Sequence, residues 1–223
     1  MNIVEIPCRR ENYGGIRSQK VTYLVIHYTA GYNDTAENNG VYFAREQVGT
    51  SAHYFVDEET VVRSVPEEYV AWHCGGSSYR HPDCRNGNSI GIEICTKQTD
   101  GDYGFAPEAL ERAKELTRLL MARYGIPKDN VLRHYDVTGK LCPAPFVGKE
   151  ERAWQTWKGG LQVYNTMEQV PGWAKETVSK LVERAYLTGD GNGLNLSDDM
   201  TRILVILDRA GVFEKEEEHG KSE

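Results

Sequence analysis

No stretch of this chain approaches the run of about 18 apolar residues that spans a bilayer, so membrane insertion through a helix is not expected. Positive charge is scarce: 26 Lys and Arg stand against 33 Asp and Glu, a net charge of −7. A nucleic-acid binder needs a basic patch, so that class of partner is not expected. Met1-Asn2-Ile3-Val4-Glu5 has no basic segment leading into an apolar one. Sec-type export is therefore not expected, and synthesis as a soluble cytosolic protein is. The five cysteines, Cys8, Cys74, Cys84, Cys95 and Cys142, are odd in number and form no C-x-x-C. With no export signal, a disulfide framework is not expected, and at least one cysteine should have another task. Whether Cys74 and Cys84 pair is left open.

What is present suits one good core and a small second module in 223 residues. Thr22–Thr29 is β-branched, aromatic and apolar on both alternating faces, the pattern of a central strand covered on both sides. His27 stands near its end, where an α/β sheet opens to ligands; a satisfied core histidine is the competing account. Asp34 or Thr35 caps a helix running to about Arg45. Residues 52–56 and 60–65 read as a hairpin around Asp57-Glu58-Glu59. Residues 74–88 form a long loop. Ser89–Cys95 alternates, with isoleucines on one face and Gly91, Glu93 and Cys95 on the other. Pro107 opens a helix that Gly125-Ile126-Pro127 ends. Asn130–Arg133 is a short strand that delivers His134, followed by a loop through Pro143. Trp154 and Trp157 lie on a last helix. After a linker, Trp173, Thr177, Val178, Leu181, Val182 and Ala185 mark one amphipathic helix. Met200, Ile203, Leu204 and Leu207 mark the inner side of a second, capped by Ser197. The expected division is 1–163, a linker at 164–171, a small helical module at 172–217 and an acidic tail at 218–223.

Three metal-ligating side chains stand at loop mouths: His27, His134 and Cys142. Two imidazoles and a thiolate leave a fourth zinc position open, as catalytic sites do. Cys142 as a buried apolar residue is the alternative. Glu93 faces away from the isoleucines and, if buried, must meet a cation or water. Lys140 lies two residues before Cys142 and so close to any ion there; a surface ion pair is its plainer reading.

Taken in order, several short motifs carry a resemblance. They are His27 after an apolar strand, Ser51-Ala52-His53-Tyr54, Ala71-Trp72-His73, Asn88-Ser89-Ile90-Gly91-Ile92-Glu93, and His134-Tyr135-Asp136 leading to Lys140-x-Cys142-Pro143. Each is weak alone. In this order over residues 3–160 they closely resemble the type-2 zinc-dependent N-acetylmuramoyl-L-alanine amidases, which share a fold with peptidoglycan recognition proteins. The phage and prophage endolysins of Gram-positive hosts are the most similar group. The resemblance implies an α/β fold with a mixed central β-sheet flanked by helices, followed here by a small all-helical C-terminal module. It implies zinc on His27, His134 and Cys142, Glu93 as general base and Lys140 as oxyanion stabiliser. It also implies a Gram-positive peptidoglycan substrate, and a protein made in the cytoplasm that acts at the wall after release.

Around the centre, His53, Trp72, His73 and Arg85 are expected to contact substrate. Alternation lets only one of His53 and Tyr54 face the site, and His53 is favoured. The C-terminal helices are expected either to bind the wall or to associate with a second copy of the chain. Two other functions compete: a non-catalytic peptidoglycan-binding module, and a cysteine hydrolase using Cys142 and His134.

Overall fold

The computed structural model describes residues 2–99, 101–191 and 193–214. The chain divides into two compact units, one ending at Lys158 and one beginning at Gly159. The first carries β1 (Ile3–Glu5), β2 (Tyr13–Ile16), β3 (Tyr23–Tyr28), α1 (Ala36–Arg45), β4 (Tyr54–Val56), β5 (Val61–Arg63) and β6 (Tyr69–Ala71). It continues with β7 (Ser89–Ile94), β8 (Lys97–Thr99), β9 (Asp102–Gly104), α2 (Pro107–Tyr124), β10 (Val131–Arg133), α3 (His134–Thr138) and α4 (Glu151–Gly159).

Six of these strands form one mixed sheet in the order β1-β5-β4-β7-β3-β10. Only β4 and β5 pair antiparallel; the other neighbours are parallel. β3 therefore has a parallel strand on each side, and Leu24, Val25 and Ile26 are all fully buried, as its doubly apolar sequence requires. Phe55, Val62 and Cys95 pack with Ala36 of α1 on one face. Alternation assigns Ile90, Ile92 and Ile94, all fully buried, to the other. α2 packs against β4 and β7 with Ala109, Ala113, Leu116 and Leu120 inward. Pro107 opens that helix, and Gly125 closes it at φ 64°, in the left-handed region that glycine enters without steric cost.

The β4–β5 turn is closed by Asp57, whose Oδ1 accepts from the backbone N–H groups of Glu59 and Thr60. Its Oδ2 accepts from Ala36 N at the start of α1, so one carboxylate ties the hairpin to a helix N-terminus. Thr35 caps α1, accepting from Asn38 N.

Several elements depart from the sequence-based expectation. Residues 134–138 form helix α3 where a loop was expected; Asp136 caps it, accepting from Arg133 N, and Gly139 ends it at φ 86°. Two strand pairs, β2–β6 and β8–β9, lie in stretches with no clear alternation. The second unit is not all-helical: β11 (Val163–Tyr164) pairs antiparallel with β12 (Leu196–Ser197). Strands of two residues are too short to leave a period in the sequence.

The second unit also carries α5 (Lys175–Glu183) and α6 (Asp198–Arg209). Its core is Tyr164, Val170, Ala174, Val178, Leu196 and Val205. Thr177 and Lys180 of α5 both bond Asp208 of α6. The inward face of α6 is Thr201 and Val205. Met200 and Ile203, expected inside, are 48% and 56% exposed, and Ile206 is 64% exposed. Trp173 and Val182 are likewise on the outside. The 218–223 tail lies outside the described residues.

Candidate functional site

Sheet register builds the site. His27 of β3 is opposite Glu93 of β7, and Ile26 is opposite Arg133 of β10. His134, the next residue after Arg133, therefore leaves the sheet at the level of His27. All three residues come from carboxyl ends of parallel strands, where open α/β sheets receive ligands. Cys142 is brought back to them by the turn after α3. Tyr135 N donates to Cys142 O at 2.8 Å, and Cys142 N donates to Lys140 O at 2.7 Å. Arg133, almost fully buried, holds the base of this turn through Asp136, the Phe146 carbonyl and Glu151.

One ligating atom from each of His27, His134 and Cys142 lies within 4.8 Å of the others. The His27 Nδ1 to Cys142 Sγ distance is 3.6 Å, and His27 Nδ1 is 4.0 Å from Glu93 Oε1. These groups line a cavity of about 270 Å³ that Tyr28, Thr29, Phe43, Ser51, Trp72 and Lys140 also border.

Four buried ionisable groups here are pushed toward their neutral forms. Burial, then the neighbouring His73 and His134, holds His27 well below the usual imidazole range. Burial and Lys140 bring His134 down to about 4. Burial, with Glu93 adding to it, pushes the Cys142 thiol up to about 12 against the Tyr28 backbone N–H. Burial pushes the Glu93 carboxyl up to about 8, opposed by Lys140. The cluster thus has anion-forming groups without enough compensating cation. Glu93 Oε2 is buried with no hydrogen-bond partner. Neither ring nitrogen of His134 has a hydrogen-bond partner of ordinary geometry, although the Gly75 backbone interacts with the ring. Unpaired buried polar atoms are costly, and neutral imidazoles beside a thiol are what a divalent soft-to-borderline cation binds. A cation there also reverses the preference for a neutral carboxyl and thiol. The residues present fit a metal ion.

The expected substrate contacts separate into two groups. Trp72, 37% exposed, and His73 both line the cavity. His53 and Arg85 do not. His53 is fully buried; its Nδ1 accepts from Gly91 N, and its Nε2 sits between Arg17 and the Tyr69 carbonyl. Tyr54 is also turned inward, its hydroxyl donating to Glu67. Strand alternation cannot reveal that both faces of this hairpin are covered. Arg85 is used within its own loop, donating to the carbonyls of His81, Pro82 and Cys84 and stacking 3.7 Å over Tyr79. The loop is tied to α3, because Arg80 N and His81 N both donate to Val137 O. The sequence assigns no site role to Tyr28, Phe43 or Ser51, and offers Asp34 only as a helix cap. Asp34 Oδ1 accepts from Thr29 Oγ1 and Thr96 N and so joins the ends of β3 and β7.

An α/β unit whose strand ends, with the turn after α3, bring two imidazoles, a thiol and a carboxyl to one cavity defines a metal-centre type of site. Residues 17–145, which contain every one of those groups, match the family described as N-acetylmuramoyl-L-alanine amidase. The chain belongs to that family. Among curated relatives, it is 34% identical over 160 residues to the N-acetylmuramoyl-L-alanine amidase BlyA of Bacillus subtilis (strain 168), covering 66% of this chain and 43% of the relative. It is 36% identical over 143 residues to the amidase CwlL of Bacillus licheniformis, covering 60% and 39%. The chain thus spans about two fifths of the length of these relatives. Among solved structures, the catalytic domain of XlyA superimposes with a TM-score of 0.60 at 29% identity, covering 73% of this chain and 100% of that one. A mutant endolysin from Bacillus subtilis gives the same score and identity.

Proposed function

We propose that the chain is a zinc-dependent endolysin that hydrolyses the amide between N-acetylmuramic acid and L-alanine in Gram-positive peptidoglycan. The observation that carries this reading is the convergence of His27, His134 and Cys142 beside the partnerless Glu93 oxygen, within the family-matching segment. The names of the Bacillus relatives support the scissile bond and the wall.

Neutral His27 and His134 and the Cys142 thiolate would hold the ion. A zinc ion on this donor set supplies Lewis acidity toward an amide carbonyl and toward water. Glu93, at 4.0 Å from the His27 ring, is placed to take a proton from the attacking water and return it to the leaving amine of alanine. The exposed Lys140 ammonium at the cavity wall offsets the negative charge that develops on the carbonyl oxygen, a contribution of about 3 kcal/mol for one such donor. Trp72 and His73 form the wall against which the substrate lies.

In this reading the catalytic domain is the unit ending at Lys158, and the unit beginning at Gly159, whose core takes in Tyr164 and Val170 of the segment expected as a linker, binds the wall or a second copy of the chain. The protein is made in the cytoplasm and reaches the wall on release, in keeping with its endolysin neighbours.

Digestion of purified Gram-positive walls with and without a zinc chelator tests the proposal. New N-terminal alanine that disappears with chelation and returns with zinc is the expected result. New reducing sugar ends, or amines freed within the peptide, would reject the assigned bond. Walls that bind the protein but release nothing would make it a binding module.

A further inference from the structure

We infer that Ser89 and His73 are positioning residues that fix which ring nitrogen of His27 is free to hold a metal. The inference rests on the metal reading above and goes beyond it, because it assigns the protons of a hydrogen-bonded chain running from the loop into the centre.

The direction of that chain follows from its far end. The Arg85 carbonyl can only accept, and it lies 2.7 Å from Ser89 Oγ, so the Ser89 hydroxyl donates to it. With its proton used, Ser89 Oγ can only accept from His73 Nε2, 3.1 Å away. A neutral His73 protonated on Nε2 has its lone pair on Nδ1. That atom is 3.0 Å from His27 Nε2, which must then carry the proton. His27 Nδ1 is left with a lone pair, and this is the nitrogen that faces Cys142 and Glu93. The opposite arrangement puts the proton on His27 Nδ1, where it blocks ligation. It also leaves Ser89 Oγ and the Arg85 carbonyl oxygen in contact with no proton between them. Cys74 Sγ also lies 3.7 Å from Ser89 Oγ, but the Arg85 carbonyl at 2.7 Å is the nearer and stronger acceptor and takes the Ser89 proton; the thiol's own proton goes to Asn86 Oδ1 at 3.2 Å.

The surroundings hold the chain in place. Ser89 is fully buried, His27 is 1% exposed and His73 is 9% exposed. The His73 backbone N–H donates to Asn86 Oδ1. The ring of His73 lies over Gly91, where an added Cβ would come within 2.5 Å of it; any other residue at 91 would displace the ring. Metal-bound histidines generally donate their second N–H to an acceptor that sets tautomer and orientation. Here the acceptor is a second imidazole, itself set by a serine and a carbonyl.

The test reads tautomers and metal affinity rather than turnover. Long-range proton–nitrogen correlation spectra of the 15N-labelled, metal-free protein distinguish Nε2–H from Nδ1–H imidazoles and need no variant. Neutral Nε2–H rings at both His27 and His73 are expected; an Nδ1–H ring at His73 would overturn the inference. Zinc affinity is then measured by competition with a chromophoric chelator. Ser89→Ala, checked for native fold by circular dichroism, is expected to weaken zinc by about 10- to 100-fold. An unchanged affinity in the folded variant would also overturn it. If the unmutated protein takes up no zinc, the metal reading fails, while the tautomers still decide the direction of the chain independently.

Discussion

In the unit ending at Lys158, His27, His134 and Cys142 are withdrawn from water together with one oxygen of Glu93. In the unit beginning at Gly159, Met200, Ile203 and Ile206 stand 48%, 56% and 64% exposed along one helix. Each arrangement runs against the usual sorting of side chains, in opposite senses. Buried polar atoms without partners cost folding free energy and are retained where chemistry needs them. Exposed apolar side chains on a helix cost little in the folded chain and matter for what the surface meets. The lesson is that the two units should respond to substitution differently: the first through activity, the second through its core alone.

The largest effect tests the buried cluster. Glu93→Gln should lower amide hydrolysis by about 10²- to 10⁴-fold without loss of the folded state, measured by alanine release and circular dichroism. Cys142→Ser should match it and also lose bound zinc by elemental analysis. If both variants unfold instead, the cluster is structural and the contrast between the units disappears. Lys140→Ala should cost about 10²- to 10³-fold in rate and leave zinc content unchanged, because Lys140 is exposed and is not a donor.

Within the second unit the contrast is one of stability. Leu181→Ala should destabilise by about 2–5 kcal/mol, since Leu181 is 1% exposed. Ile203→Ser should stay within about 0.5 kcal/mol of the unmutated chain. Denaturant melts of both variants make the comparison; a large loss in Ile203→Ser would return that residue to the core. The smallest effect returns to the first unit. Burial pushes the Glu67 carboxyl up, but hydrogen bonds from Tyr124, Tyr54 and Arg123 outweigh it and hold the group below the usual carboxylate range. A carboxyl lowered on folding stabilises the protein above its unfolded-state pKa, and that stability is lost as pH falls through the folded value. Glu67→Gln should therefore melt below the unmutated protein at neutral pH and converge with it at acidic pH in melts across a pH series.

The first unit was largely legible in the sequence, because its elements carry strong periods and its site lies at their ends. The two-sided apolar run at 22–29 fixed β3 as central, and the alternation at 89–95 placed Glu93 on a face away from the isoleucines. Register, which no local pattern reveals, brings Glu93 opposite His27. His53 and Arg85 misled for one reason: a polar side chain near a motif can satisfy itself inward. His53 does so on Gly91, and Arg85 on three carbonyls of its loop. Helix α6 misled for another. Met200, Ile203, Leu204, Val205, Ile206 and Leu207 are apolar nearly all around the helix. Periodicity cannot choose an inward face when most positions qualify.

The separation in sequence between His27 and Cys142, 115 residues, bears on the order in which the molecule comes together. β3 pairs only with parallel neighbours, and its partners β7 and β10 lie far along the chain. Such pairings pay loop-closure entropy before contacts repay it and belong to the slow part of folding. No partly folded chain that lacks this strand pairing can gather the three donors. A metal ion in the surrounding solution therefore has little to hold until the sheet is complete, and its uptake would time the last stage of assembly rather than guide the first.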